Sequence, residues 1–266
     1  MSVWIDDIYL PDIGVKVLAG GSEPALPSTR DRSVQIPGRP GAYDLGGELG
    51  VRQFEIPCVI AGLRDHNVIA SKAREVARLF IDQYGRPKTV KLRFESEPDR
   101  FYYARFSGNL PVDKLAYNAQ FILPLTAFDP MAKSTTELGD EITWDSDVSV
   151  LADITLDSVY SYTVTSNQTL MIINNGSLAV RPIVEISGSA TSLTISANEK
   201  SFTIGSFSGK SYIINSEDYT VKVGGVNSLS AITGDFIELF SGSNNVVVSG
   251  SGLNVNITIR FYNQYI

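Results

Sequence analysis

The closing stretch of the chain, LNVNITIRFYNQYI, alternates without a break: Val255, Ile257, Ile259 and Phe261 fall on one face of an extended strand, and Asn256, Thr258, Arg260 and Tyr262 on the other. A helix with 3.6 residues per turn cannot gather those four apolar side chains on one side. Upstream, YSYTVTS, QTLMIINN, AVRPIVEI, TSLTISA, KSFTI, SYIIN, YTVKVG, DFIELF and NVVVSG repeat the pattern at turn-bounded spacings of about 8 to 12 residues. This predicts an antiparallel β-sandwich for the second half of the chain, with Asn174-Asn175-Gly176 as a tight hairpin turn.

The first half is mixed. DHNVIASKAREVARLFIDQYG places Ile69, Ala73, Val76, Leu79, Phe80 and Tyr84 along one stripe, the mark of an amphipathic helix. Asp65 or Asn67 is expected to cap its start, Gly85 its end, and Pro87 to stop it. KTVKLRF then alternates as a strand and FYYARFSG returns as its hairpin partner, with the turn expected at Pro98-Asp99.

Composition changes near residue 133. Residues 1–133 carry 17 Lys+Arg against 16 Asp+Glu, and residues 134–266 carry 5 against 13, so the halves hold +1 and −8 of the total −7. Eleven of the twelve prolines lie in the first half, and only Pro182 in the second. The polar, acidic tract AFDPMAKSTTELGDEITWDSD therefore marks a boundary at about residues 130 to 148, dividing domains 1–133 and 134–266. The 266 residues suffice for two packed cores. No apolar stretch approaches the roughly 20 residues that cross a bilayer. The start, MSVWIDDIYLPDIGVKV, has neither the basic nor the apolar region of a secretory leader, so synthesis in the cytoplasm is expected. A single cysteine, Cys58, allows no disulfide framework or Cys-rich zinc site within one chain, and its apolar neighbours predict burial.

IPGRPGAYDLGGELG, Ile36 to Gly50, holds five glycines and two prolines. It lacks the spacing of a phosphate loop, and the segment after Gly50 reads as a strand with no helix N-terminus to hold an anion. The expectation is a structural turn, built on Gly38, Gly41, Tyr43, Asp44, Gly46 and Gly47, with the glycines in backbone conformations closed to other residues. Other chemistry is sparse. His66, the only histidine, sits beside Asp65 at a helix start, where adjacent side chains do not face each other as a triad needs. Glu95, Glu97 and Asp99 alternate, but Pro98 favours a solvated hairpin tip over a carboxylate pair facing across a cleft. Lys91 and Arg93 share a strand face that suits solvent, nucleic acid or a protein neighbour.

Taken in order, IPGRPGAYDLGGELGVRQFEIPCVI, the helix, YGRPKTVKLRFESEPDRFYYARFSGNLP and YNAQFILPLTAFDP resemble the N-terminal domain of the distal tail (Dit) proteins of long-tailed phages that infect Gram-positive bacteria. NNGSLAVRPIVEISG, YIINSEDYTVKVGG and GDFIELFSGSNNVVVSG, followed by the closing strand, are similar to that family's C-terminal galectin-like sandwich. The fold class implied is mainly β: a β-sandwich-like, ring-forming domain with one helix and a hairpin, then a galectin-like antiparallel sandwich. The resemblance implies a structural virion protein at the tail tip, not an enzyme, with no cofactor or metal. Its implied partners are five further copies in a hexameric ring, the tail tube protein, the tail-associated tip protein and receptor-binding or baseplate proteins. DNA would only pass through the channel, and no membrane insertion is expected. Two other classes compete. A carbohydrate-binding module reading host wall sugars would need an exposed aromatic platform, for which Tyr160, Tyr162, Tyr212 and Tyr219 are the candidates. A wall-degrading enzyme would rest on Glu95 or Glu97.

Overall fold

The computed structural model describes residues 2–61, 66–114, 118–139 and 159–266. The acidic residues Asp140, Glu141, Asp145 and Asp147 lie outside the described residues, as do Asp65 and the side chains of His66 and Asn67. The chain divides into two units, Met1–Ala132 with Ile266, and Lys133–Tyr265. Among the described residues the protein is mainly β, with one α-helix.

The first unit contains β1 (Val3–Ile5), β2 (Ile8–Tyr9), β3 (Val15–Val17), β4 (Thr29–Val34), β5 (Tyr43–Leu49), β6 (Arg52–Ala61), α1 (His66–Arg78), β7 (Thr89–Phe94), β8 (Glu97–Phe106), β9 (Asp113–Lys114) and β10 (Asn118–Ala127). Its main sheet runs β2-β1-β7-β8-β10-β6-β3, with β9 also paired to β10. β6 and β10 are antiparallel over their whole length, from Arg52↔Ala127 to Ala61↔Asn118. The pleat turns Phe54, Ile56, Cys58 and Ile60 of β6 and Phe121, Leu123 and Leu125 of β10 out of water. Phe54 packs against Phe94 and Tyr102 with ring centroids 5.6 and 5.0 Å apart. The buried Arg52 guanidinium donates to the Tyr102 hydroxyl at 2.7 Å and lies over the same ring.

Two local expectations need correction. The helix stops at Arg78, seven residues before Gly85. Ile81 bridges to Pro87, and the Asp82 carboxylate accepts from the Tyr84 and Arg86 amides at 2.8 Å, so a side-chain-closed turn replaces the last helical turns. Gly85, at φ +77°, serves that turn and not the helix end. Ile69, Val76 and Phe80 are buried as the stripe requires, but Tyr84 is 74% exposed. The β7–β8 turn lies at Glu95-Ser96, because β8 already includes Glu97, Pro98 and Asp99. A bulge between Leu92 and Phe94 shifts the register there, and irregular pairing tolerates a proline without an N–H.

The second unit contains β11 (Ala132–Ser134, beginning in the first), β12 (Ser161–Val164), β13 (Gln168–Asn174), β14 (Ile183–Ala190), β15 (Ser192–Ala197), β16 (Lys200–Ile204) and β17 (Phe207–Asn215). It continues with β18 (Thr220–Val223), β19 (Val226–Asn227), β20 (Thr233–Gly234), β21 (Gly242–Ser251), β22 (Asn254–Arg260) and β23 (Gln264–Tyr265). Two sheets, β12-β22-β14-β17-β18-β19 and β13-β21-β15-β16-β20, close over one apolar core. Val255, Ile257, Ile259 and Phe261 all point into it.

Here, too, the sequence misled at two places. Asn174-Gly176 is not a hairpin, since β13 and the next long strand, β14, belong to different sheets. Asn174 is instead fully buried: its Oδ1 accepts from the Gly176 amide, and its Nδ2 donates to the Leu178 and Leu239 carbonyls, satisfying backbone groups where the chain changes sheets. DFIELF forms no extended strand and contributes only a bridge at Leu239↔Val180, yet Ile237 and Leu239 are buried as its alternation suggests. No described helix is long and apolar enough to cross a membrane.

Cys58 is fully buried in β6, and burial pushes its thiol pKa up to about 12. The thiolate is the nucleophile, so the native protein is expected to resist iodoacetamide at pH 8 and to be alkylated once unfolded. Mass spectrometry before and after adding guanidinium checks this, and rapid native labelling would contradict the burial.

Candidate functional site: an exposed glycine-rich ribbon

Only the first part of Ile36–Gly50 is a loop. Tyr43–Leu49 is strand β5, and it pairs with β4 in a two-stranded sheet that no other strand joins among the described residues. The register runs Thr29↔Leu49, Arg30↔Glu48 and Asp31↔Gly47, then shifts at a bulge and resumes at Ser33↔Asp44 and Val34↔Tyr43. Leu45 and Gly46 thus oppose Arg32 alone, which bends and twists the ribbon.

The turn residues divide into distinct roles. Gly38, Gly41 and Gly46 have φ of +83°, +86° and +90°, and no atom stands within 4 Å of where a side chain would begin. Their constraint is the backbone angle alone. Gly47 differs from the expectation. Its φ is ordinary, and a Cβ there would stand 2.8 Å from Asp31 Oδ1, so a side chain at this position would require the exposed Asp31 carboxylate to move aside. Asp44 Oδ1 accepts from the Gly46 amide at 2.8 Å and holds the bulge. At the tip the Arg39 guanidinium lies 4.5 Å above the Tyr43 ring, and the Arg39 amide donates to the Ile36 carbonyl. Arg30 and Arg32 share the Glu48 carboxylate, one oxygen each at 2.5 Å. All three side chains are largely exposed, so these pairs set geometry more than stability.

Every residue of β4 and β5 is exposed, and with them Val34, Ile36, Tyr43, Leu45 and Leu49. The sequence did carry a signal: Tyr43, Leu45, Gly47 and Leu49 keep a period of two, but their glycines and the polar partner TRDRSV hide the strand pair.

The other candidates are placed elsewhere. Glu97 and Asp99 flank Arg100 in β8 at 3.9 and 3.4 Å, as ion-paired strand residues. Lys91 lies over Phe101 and Arg93 over Trp4, so both cations rest on aromatic faces. Among the described residues no three His, Cys, Asp or Glu side chains are grouped to hold a metal. Tyr160 and Tyr212 are buried in the sandwich core and Tyr162 is half-buried, while Tyr219 is 51% exposed.

Residues 8–127, nearly all of the first unit, match the model of the phage tail protein RIFT-related domain. The whole chain has the fold of SPP1 Dit (gp 19.1), described as a paradigm of the hub adsorption apparatus in phages infecting Gram-positive bacteria: the TM-score is 0.71 at 16% identity, covering 98% of each chain. Chains of the phage P2 baseplate in its activated conformation, with calcium and with strontium, align over 95% and 96% of this chain and 92% of theirs. Their identity is 10%, and TM-scores of 0.41 and 0.40 are too low to bear on the fold. No curated protein matches the sequence.

Valine at both Gly38 and Gly41 is expected to force β-branched side chains into left-handed backbone, at roughly 1–2 kcal/mol per site. Because the tip packs against nothing there, the cost falls on the ribbon's shape: the melting temperature should change by only a few degrees, while any self-association through the ribbon weakens. Differential scanning fluorimetry and light scattering on the double variant read both effects.

Proposed function

We propose that this chain is a structural protein of the phage tail tip, a distal tail protein whose first unit assembles with copies of itself into a ring between the tail tube and the tip. The observation that carries the reading is the β4–β5 ribbon, exposed on both faces, with both outer edges unpaired among the described residues and five large apolar side chains of the ribbon and its tip in water. An isolated two-stranded ribbon is marginal by itself, and such apolar exposure in a folded protein marks a contact. A ribbon on one part of a unit that docks on a different part of the next copy is a heterologous contact, and contacts of that type close into rings when the rotation permits. The tail-protein model matched by residues 8–127 and the Dit fold of the whole chain support the same role. Six copies, the tube protein on one face and the tip protein on the other, and baseplate or receptor-binding parts carried by the second unit are the assembly this role entails. DNA would traverse the ring without a lasting complex.

Native mass spectrometry and negative-stain images of the purified chain are expected to show a closed annulus. Leu45→Asp places a charge on the exposed apolar ribbon and should leave single subunits that melt within a few degrees of the parent protein. A parent protein that stays monomeric at every concentration would overturn the ring. An intact annulus in the variant would move its interface away from the ribbon.

A further inference from the structure

Four non-glycine residues among those described have a positive φ: Asp6, Asn198, Glu199 and Tyr219. Asp6 lies between β1 and β2, and Asn198-Glu199 join β15 to β16 as a two-residue turn, where positive angles are what a tight hairpin demands. Tyr219 is different in kind. The loop Ser216–Tyr219 joins β17 to β18 and is closed by Asn215, whose Oδ1 accepts from the Glu217 and Asp218 amides and whose Nδ2 donates to Asp218. Its last residue leaves in the left-handed conformation, φ +54°, a position that suits glycine or asparagine and strains a bulky side chain. Strain of this sort persists only where the surroundings hold it, and it concentrates at functional sites.

The held ring forms one wall of a cleft of about 330 Å³ in the second unit. Phe236 stands perpendicular to Tyr219 with centroids 5.4 Å apart, and the Arg181 guanidinium lies 5.1 Å over the Tyr219 ring. Leu229 and Ile232 continue the apolar lining, while Lys200 and Asp235 supply its polar part. Charge around the cleft is arranged in two ways. Glu238 takes both cations, at 3.0 Å from Arg181 and 2.9 Å from Lys200, and the Lys200 hydrogen bond above all holds its carboxyl below the usual range. Asp235 donates its amide to the Ser201 carbonyl, but its exposed carboxylate has no protein partner among the described residues.

We infer that this cleft is a saccharide-binding site for neutral sugars, with Tyr219 as the stacking platform and Asp235 as the hydroxyl acceptor. An aromatic wall receives the C–H face of a pyranose, and a bare carboxylate accepts two hydroxyl hydrogen bonds from a vicinal diol. Two cations, Glu238 and Asp235 sum to zero charge, so the site favours a neutral ligand. An anionic polymer would meet an unpaired carboxylate, and a cationic peptide would meet Arg181 and Lys200. A wholly apolar ligand would leave Asp235 desolvated without a partner. The inference is independent of the ring.

The test uses the full chain against immobilised and free oligosaccharides of glucose, galactose, rhamnose and N-acetylglucosamine, with poly(glycerol phosphate) and an oligolysine as charged probes, read by array and by titration calorimetry. At least one neutral oligosaccharide is expected to bind, and neither charged probe to bind as well. Tyr219→Gly relieves the backbone strain, so it should keep or raise the melting temperature while weakening the sugar at least tenfold. Asp235→Asn, which keeps one acceptor oxygen and loses the charge, should weaken it several-fold. Silence across the neutral panel, tighter binding of either charged probe, or unchanged affinity in Tyr219→Gly would overturn the site. A lower melting temperature in Tyr219→Gly would also overturn it, by making the ring a packing residue.

Discussion

A backbone amide or carbonyl removed from water must find a partner, and a chain made almost wholly of strands can find it only sideways, in another strand. That requirement organises the molecule. In the first unit the long strands β6, β8 and β10 are paired on both sides, and the sheet ends on β2 and β3, which are two and three residues long. The six-stranded sheet of the sandwich ends on the short β12 and β19, and its companion on β20 and the seven-residue β13. Short edges offer few free groups to a stray chain. The β4–β5 ribbon breaks this economy, with strands of six and seven residues bare on both outer sides. Among the described residues the ribbon and the edge strand β13 are the long edges left open, and of the two only the ribbon is bare on both outer sides.

What was legible in the sequence follows from the same rule. Strands with one face in a core write a period of two, and Val255, Ile257, Ile259 and Phe261 could be read directly because all four are buried. The helix stripe at Ile69, Val76 and Phe80 was legible for the equivalent reason. Where no core sits behind a strand, the alternation has nothing to enforce it. Thr29–Val34 buries nothing, so its composition carries no trace of its pairing, and Tyr43–Leu49 is interrupted by glycines that serve a bulge and a close approach. DFIELF shows the converse. It alternates because Ile237 and Leu239 are buried, yet it lacks the neighbouring backbone that would make it a strand. Side-chain burial and backbone pairing are separate demands, and a sequence reports mainly the first.

The four sandwich tyrosines make the same point at the candidate site. In sequence they are alike, residues in or beside alternating runs. In the fold Tyr160 stacks on Phe261 in the core and its hydroxyl caps the backbone of Ile173, and Tyr212 packs edge-on to Phe207. Of the four, Tyr219 alone has a left-handed backbone, and it alone is more than half exposed. A dihedral angle is set by the whole hairpin, and no single-residue pattern encodes it.

Charge sets the terms on which the exposed features operate. In the first unit Arg39, Arg93, Lys91 and Arg105 rest on Tyr43, Trp4, Phe101 and Phe128, contacts that fix cations without needing carboxylates. In the second, Arg181, Lys200 and Arg260 go to Glu238 and Glu185, and residues 134–266 carry 13 acidic against 5 basic side chains. Copies of the chain therefore repel one another through a long-range net charge, while the apolar ribbon attracts only at contact. Random collisions meet the repulsion first. A pairing survives only where the ribbon buries enough surface to exceed it, which demands a close geometric fit and favours one repeated contact over many loose ones. An exposed apolar ribbon on an acidic chain is thus compatible with a soluble subunit and an ordered assembly, and the same ribbon on an uncharged chain would tend toward indiscriminate aggregation.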